Sequence, residues 1–266
     1  MTALSNKAVQ PFQWSEASAS RNRITDLYEP IQPWVFLGAV DVLGAQTVFD
    51  VGANIGYYSL VSTLASDVSK VVGFEAAPVA AMEFRKNVEL NSLSDLISIE
   101  ELAVSDCVGE AEFLICSDLS GINALADSTM HRRSKYQETP LKVPTVSLDS
   151  WCATHELPPG PIGLKVDVEG SEGAVFRGAA GVLANREIVL QVEMYETNRQ
   201  EDAAMLEELG LELLLRCDND WFWTNSLELV ARWREVVELA MTNCVRAHLS
   251  QWPPARASQP VAELSG

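Results

Sequence analysis

The sequence predicts one α/β domain in which parallel strands alternate with helices, and three observations predict it. A β-rich run, Thr47-Val-Phe-Asp50-Val, breaks into Gly52-Ala53-Asn54-Ile-Gly56 and restarts as a helix. A second run, Lys70-Val-Val-Gly-Phe-Glu75, ends in an acid nineteen residues after Gly56, about the separation that one strand–helix–strand step requires. A later apolar run, Ile162 to Val168, carries Lys165-Val-Asp167-Val-Glu169-Gly170-Ser-Glu172 at its end. Chemistry in such sheets gathers at the carboxyl ends of strands, so the layout is Rossmann-like.

Length and composition agree with a single domain. A chain of 266 residues with 47% hydrophobic content buries one large core, and no shift in composition marks a second. We divide it into an N-terminal arm and helix (1–44), a main domain (45–250) and a tail expected to be disordered (251–266). The formal net charge of −18 repels a phosphate backbone, so no nucleic-acid partner is expected. The one dense basic cluster, His131-Arg132-Arg133-Ser-Lys135, reads as a solvated face, with guidance of an anionic substrate as the alternative. Cysteines at 107, 116, 152, 217 and 244 form no CxxC pair, which argues against a zinc site and a disulfide framework and predicts reduced core cysteines. Neither a signal segment nor a membrane-length apolar run is present, so a cytoplasmic protein with no membrane partner is expected. Oligomeric state is not legible.

In chain order, residues 1 to about 20 are poorly periodic and read as an arm, disordered or lying on the surface. The spacing within Ile24 to Leu43 suits a helix, entered through Tyr28-Glu29-Pro30, that tolerates Pro33 in its first turn and ends at Gly44. The first loop and a helix follow Val51; Pro78 starts another helix that closes near Asn91. Leu96 to Val104 reads as the third strand. Glu110 to Ile115 is an extra strand, with Leu141 to Leu148 as its hairpin partner or an edge, since an internal proline is expected to exclude a central position. Ser117 to Pro140 reads as a mobile lid or substrate loop, and Asp149 begins a short capped helix. After the central motif, one helix through Leu183 leads to a fifth parallel strand, Glu187 to Met194, then a helix stopped by Gly210 and an antiparallel pair around Asp218-Asn-Asp220. Leu227 to Leu249 is the final helix.

The candidate site residues follow from this layout. The first loop is a strand–loop–helix nucleotide cradle, with Gly52 and Gly56 admitting close backbone approach. A dinucleotide fingerprint would place a middle glycine that is absent here. Asp50, ahead of the first glycine, would repel a pyrophosphate but suits a ligand bearing an ammonium group, such as S-adenosyl-L-methionine. A tight turn with no ligand is the alternative reading. Glu75 is positioned to accept both ribose hydroxyls, with Ala76 beside it, and Leu102-Ala103 to border an adenine ring through its backbone.

Lys165, Asp167 and Glu169 share one side of their strand by the period of two. A structural ion pair between Lys165 and Asp167, with Glu169 and Glu172 favouring the next helix N-terminus, is the alternative. That reading suits Glu172. For Asp167 and Glu169 a function is expected, because charges on so apolar a strand cost desolvation energy that a structural strand avoids. There is no metal motif of recognisable spacing. Asp167, Glu169 and Glu193 could hold a divalent cation at adjacent strand ends, but we assign none.

Phe49-Asp-Val-Gly-Ala-Asn-Ile-Gly-Tyr-Tyr-Ser59, Gly73-Phe-Glu75, the Asn87/Asn91 pair, Ala103-Val-Ser-Asp106, Ser147-Leu-Asp149 and Lys165-Val-Asp-Val-Glu-Gly-Ser-Glu172 together resemble the motif series of the FkbM family of S-adenosylmethionine-dependent methyltransferases. The resemblance spans about residues 28–196. It implies a class I methyltransferase fold with a seven-stranded, mostly parallel sheet and helices on both faces. It also implies O-methylation of a hydroxyl on a small molecule, sugar or secondary metabolite. One departure is Glu75-Ala-Ala-Pro78, where the family more often has proline directly after the acid. On this reading Asp50, Gly52, Ala53, Asn54, Gly56, Glu75, Ala76, Leu102, Ala103 and Asp167 hold the cofactor. Asp167 or Glu169 supports deprotonation of the acceptor, and Lys165 sets their charge. Two rivals stand beside it. A nicotinamide-dependent oxidoreductase is disfavoured by the missing glycine and by Asp50, and a non-catalytic regulatory or scaffold protein by the intact acids at 167 and 169.

Overall fold

The computed structural model describes residues 12–21, 29–116, 123–128 and 138–251. The basic cluster with His131, most of the expected lid and the tail beyond Gln251 lie outside the described residues.

Seven strands form one sheet. Five are parallel: β1 (Thr47–Val51), β2 (Lys70–Phe74), β3 (Ile97–Glu100), β8 (Ile162–Val166) and β9 (Ile188–Glu193). The hairpin β10 (Glu212–Cys217) and β11 (Asp220–Thr224) closes one side, β11 running antiparallel to β9. The order is β10-β11-β9-β8-β1-β2-β3. It reverses direction between β1 and β8, and in sheets of this kind ligands bind outside the carboxyl ends of the strands at that point.

The apolar runs of β1, β8 and β9 are buried on both sides because helices cover both faces. On one face, α2 (Gln32–Leu43), α3 (Tyr57–Ser62), α4 (Pro78–Leu90) and α10 (Trp233–Gln251) close over Val48, Val71 and Val189. On the other lie α5 (Leu148–Thr154), α6 (Glu172–Gly178), α7 (Ala180–Asn185) and α8 (Arg199–Glu208). The helix α1 (Glu16–Arg21) belongs to the N-terminal arm, and its approach is docked rather than loose. Ser15 N–H donates to Asn87 Oδ1 and Gln13 N–H to Asn91 Oδ1, and Trp14 stacks on Tyr57. Asn87 also donates to the Ile55 carbonyl, which ties arm, α4 and first loop together.

Several boundaries depart from expectation. The helix expected to be entered through Tyr28-Glu29-Pro30 begins at Gln32 with Pro33 in its first turn, Ile31 exposed at its cap, while 24–28 lie outside the described residues. The strand read from Leu96 to Val104 is two. Leu102 N–H bonds Glu100 O and the chain turns, so that β4 (Ala103–Val104) leaves β2 and pairs with Thr145 and Val146. A second sheet results, ordered β4-β7-β5-β6, with β5 (Gly109–Cys116), β6 (Ala124–Leu125) and β7 (Glu138–Val146). The β5–β7 hairpin is as expected, but β7 is not an edge strand. Its prolines are tolerated because only Thr145 and Val146 pair with β4, leaving the outer side of Pro140 and Pro144 unpaired. The helix after the central motif breaks at Ala179, and the final helix divides into α9 (Leu227–Ala231) and α10 at Arg232. Asp149 does not cap its own helix, a role that Ser147 takes. Asp149 instead accepts from Gly181 and Val182 N–H at the start of α7. None of the five cysteines is in a disulfide, but only Cys116 is fully buried and Cys107 is exposed, so they are not a set of core residues. Among the described residues, no helix is long and apolar enough to cross a membrane.

Candidate active site

The register of the sheet builds the site. Asp50 on β1 lies opposite Lys165 on β8, and Lys165 opposite Gln191 on β9, so the three side chains form a polar row on one face. One step outward the backbone carries Gly52, Asp167 and Glu193. The period of two that aligns Lys165 with Asp167 therefore aligns Gln191 with Glu193 as well.

The first loop is closed by its neighbours. Gly52 and Ala53 N–H both donate to Phe74 O, and Asp167 N–H to Val51 O. Gly52 has φ +79°, and a Cβ there would stand 1.8 Å from the Asp167 carbonyl oxygen. A Cβ at Gly56, φ +84°, would enter the Phe84 ring at 2.0 Å. Packing within the protein thus by itself requires glycine at both positions. Asp50 is buried, and its Oδ2 accepts from the N–H and hydroxyl of Ser59 at 2.8 and 2.6 Å, anchoring α3. Burial pushes its carboxyl up to about 6 against the pull of Ser59. Asn54 is in the left-handed region, φ +51°, and its buried Oδ1 has no hydrogen-bond partner.

Glu75 stands at the β2 tip as expected. One oxygen accepts from Asn54 N–H and the other from Ala77 N–H, both at 2.7 Å. Burial raises its carboxyl to about 7. The two alanines after it let the chain fold back so that Ala77 N–H reaches the carboxylate before Pro78 starts α4. Each oxygen keeps acceptor capacity for a further donor. Ala76 is half-buried beside it. Leu102 and Ala103 do not end the third strand; they lead into β4, where Ala103 joins a small apolar cluster with Ala77, Phe113 and Val143.

At the β8 tip, Lys165 is 2% exposed. Its Nζ lies 3.1 Å from Asp220 Oδ1 and 3.8 Å from Asp167 Oδ2, over the ring of Tyr58. Burial would lower its pKa, but Asp220, then Asp167, Glu29 and Glu193, hold it well above the ordinary lysine value. Asp167 Oδ1 is buried and without a hydrogen-bond partner. Glu169 follows the strand with φ +55°; its Oε2 accepts from the Tyr195 hydroxyl at 3.2 Å and its carbonyl from Ser128 Oγ at 2.7 Å. Glu172 goes beyond helix-end electrostatics: its Oε1 accepts from Val168 and Gly170 N–H and so shapes the turn that presents Glu169. Asp167, Glu169 and Glu193 each place an oxygen within 4.8 Å of the others. Burial, and then the neighbouring Asp167, raise the Glu193 pKa strongly.

The structure therefore brings Lys165, Asp167 and Glu169 together beside the Gly52 loop. It adds four residues that sequence reasoning left unassigned: Glu29, Gln191, Tyr195 and Asp220. Gln191 had a signal, a polar residue two before Glu193 in an apolar strand. Asp220 reads only as a turn residue, and Glu29 and Tyr195 carry no local pattern.

The sequence matches the Methyltransferase FkbM domain over residues 50–221, from Asp50 of the first loop to Trp221 beside Asp220. The chain belongs to the FkbM methyltransferase family. Among solved structures it is similar to a methyltransferase FkbM from Methylobacillus flagellatus KT, at 13% identity and TM-score 0.49, covering 68% of this chain and 44% of that one. This FkbM chain therefore spans less than half the length of that protein. It is also similar to an O-methyltransferase from Bacillus cereus in complex with SAH, at 14% identity and TM-score 0.42, covering 73% and 78%. A third is a precorrin-6y C5,15-methyltransferase from Geobacter metallireducens GS-15, at 10% identity and TM-score 0.45, covering 80% and 91%. No curated protein matches the sequence. The observed strand order, with its antiparallel hairpin at one side, is that of a class I methyltransferase sheet.

Proposed function

We propose that this FkbM-family protein transfers the methyl group of S-adenosyl-L-methionine to a hydroxyl of a small molecule. The observation that carries the reading is the convergence of Asp167 and Glu169 at the β8 tip, against the Gly52 loop of β1. The net charge of −18 supports a small acceptor over a nucleic acid.

The residues present fit the cofactor. Two buried oxygens without hydrogen-bond partners, Asn54 Oδ1 and Asp167 Oδ1, border the first loop, and a ligand carrying ammonium and hydroxyl donors would satisfy them. Asp50, Gly52, Ala53, Asn54, Gly56 and Asp167 would hold its amino-acid end. Glu75 and Ala76 would hold the ribose, with Leu102 and Ala103 at the base. When bound, the cofactor supplies an electrophilic methyl on a sulfonium.

The chain's own part is to hold an acceptor oxygen in line with that methyl and to remove its proton. Asp167 and Glu169 are the carboxylates available for this. Lys165 adds a positive charge beside Asp167, and the Tyr195 hydroxyl orients Glu169.

Calorimetric titration with S-adenosylhomocysteine, with NAD as the control, tests the cofactor half. Binding of the former alone is expected; binding of neither would favour a scaffold role, and binding of NAD an oxidoreductase. Glu75→Ala should weaken binding. With a hydroxylated acceptor in hand, Asp167→Asn and Glu169→Gln should each lower turnover more than cofactor affinity. Unchanged turnover in both would overturn their assignment.

A further inference from the structure

A buried ammonium needs a partner, because the penalty for taking it out of water is several kcal/mol. Two carboxylates reach Lys165, and they are not equivalent. Asp220 Oδ1, on β11, is at hydrogen-bond distance, 3.1 Å, while Asp167 Oδ2 stands off at 3.8 Å. Asp220 is itself held. The same Oδ1 accepts from Gln191 Nε2 at 2.7 Å, and Gln191 is 0% exposed. That amide nitrogen also lies 2.7 Å from the Tyr58 hydroxyl, which in turn donates to Glu29 Oε2. The Tyr58 ring lies beneath the ammonium, its centroid 4.9 Å from Nζ. Groups from β11, β9, α3 and the segment ahead of α2 thus hold the lysine on one side, and Asp167 Oδ1, on the other, has no hydrogen-bond partner.

We propose that Asp220 is a positioning residue: it takes the Lys165 ammonium in a hydrogen bond and so keeps Asp167 open for the cofactor's amino group. Gln191 and Tyr58 set the place of Asp220, and Glu29 sets that of Tyr58. The ion pair suggested by the Lys-x-Asp spacing persists at 3.8 Å, but the hydrogen bond of the ammonium goes to an acid from a distant strand. The inference rests on the cofactor reading above, in which Asp167 contacts the ligand.

The test measures S-adenosylhomocysteine affinity by calorimetry for the wild type, Asp220→Asn and the double variant Lys165→Met/Asp220→Asn, with a thermal melt of each. Wild-type binding is the control: its absence sinks the cofactor reading itself and not this step. In Asp220→Asn the ammonium turns to the nearest remaining acid, Asp167, and affinity should fall about tenfold, the loss of one charge-assisted hydrogen bond. In the double variant no ammonium remains to occupy Asp167, and affinity should return to within about threefold of wild type. A merely structural role for Asp220 makes the double variant bind no better than the single one. Wild-type affinity in Asp220→Asn, or weak binding in both variants, overturns the proposal. If Asp220→Asn does not fold, the double variant, which removes the buried ammonium together with its hydrogen-bonded carboxylate, decides alone: affinity kept supports the proposal, and affinity lost overturns it.

Discussion

Gly52 and Asp167 meet so closely that a single methyl group at position 52 would lie 1.8 Å from the Asp167 carbonyl oxygen. The contact joins the first loop of β1 to the tip of β8 across the point where strand order reverses. Gly52→Ala therefore adds a left-handed alanine and a clash at once, costing at least about 2 kcal/mol. It should also push Asp167 out of the site. Urea unfolding and S-adenosylhomocysteine titration would read the two effects, and a variant with wild-type affinity would show that the contact does not shape the site.

Acidic residues withdrawn from solvent around the sheet make stability depend on pH in an unusual direction. Burial lifts Glu29, Glu75 and Glu172 from 4.5 to about 7, and Asp50 from 3.8 to about 6. The native state then binds protons more tightly than the unfolded chain. The contribution of these groups is full below their ordinary values and is lost as pH rises through about 7. The melting temperature should fall between pH 5 and pH 7.5, within the range set by those shifts. Glu172→Gln should flatten that slope and raise the melting temperature at the upper end, because both loop hydrogen bonds fall on one oxygen that glutamine retains. An unchanged slope would contradict the assignment.

Asn87 couples the arm to the site. It is 0% exposed, accepts from Ser15 N–H and donates to Ser18 Oγ and to the carbonyl of Ile55 in the first loop. Asn87→Leu keeps the volume but leaves buried groups without partners, which should destabilise by about 2 kcal/mol. Limited proteolysis should release the arm faster, and S-adenosylhomocysteine affinity should fall with it. Equal proteolysis rates would show that the arm is held by other contacts, such as Trp14 on Tyr57.

The sequence by itself determined the strands, the loop between Asp50 and Gly56, the acid at 75 and the cluster at 165, 167 and 169. Each is a local pattern: apolar runs with a period, glycines where no Cβ fits, charges at strand ends. It also determined the family, because those patterns recur together. Tertiary structure decided which partners these groups have. Lys165 points toward Asp167 in sequence but bonds Asp220, fifty-five residues away, because β11 returns antiparallel beside β9 and sets Asp220 across from Glu193. Leu102 to Val104 reads as one strand with Leu96 to Glu100, but crosses to a second sheet because the edge of β7 offers Ala103 and Val104 a partner there. Hydrogen-bond donors and acceptors are local to a residue, whereas their pairing depends on which strands the whole chain lays side by side.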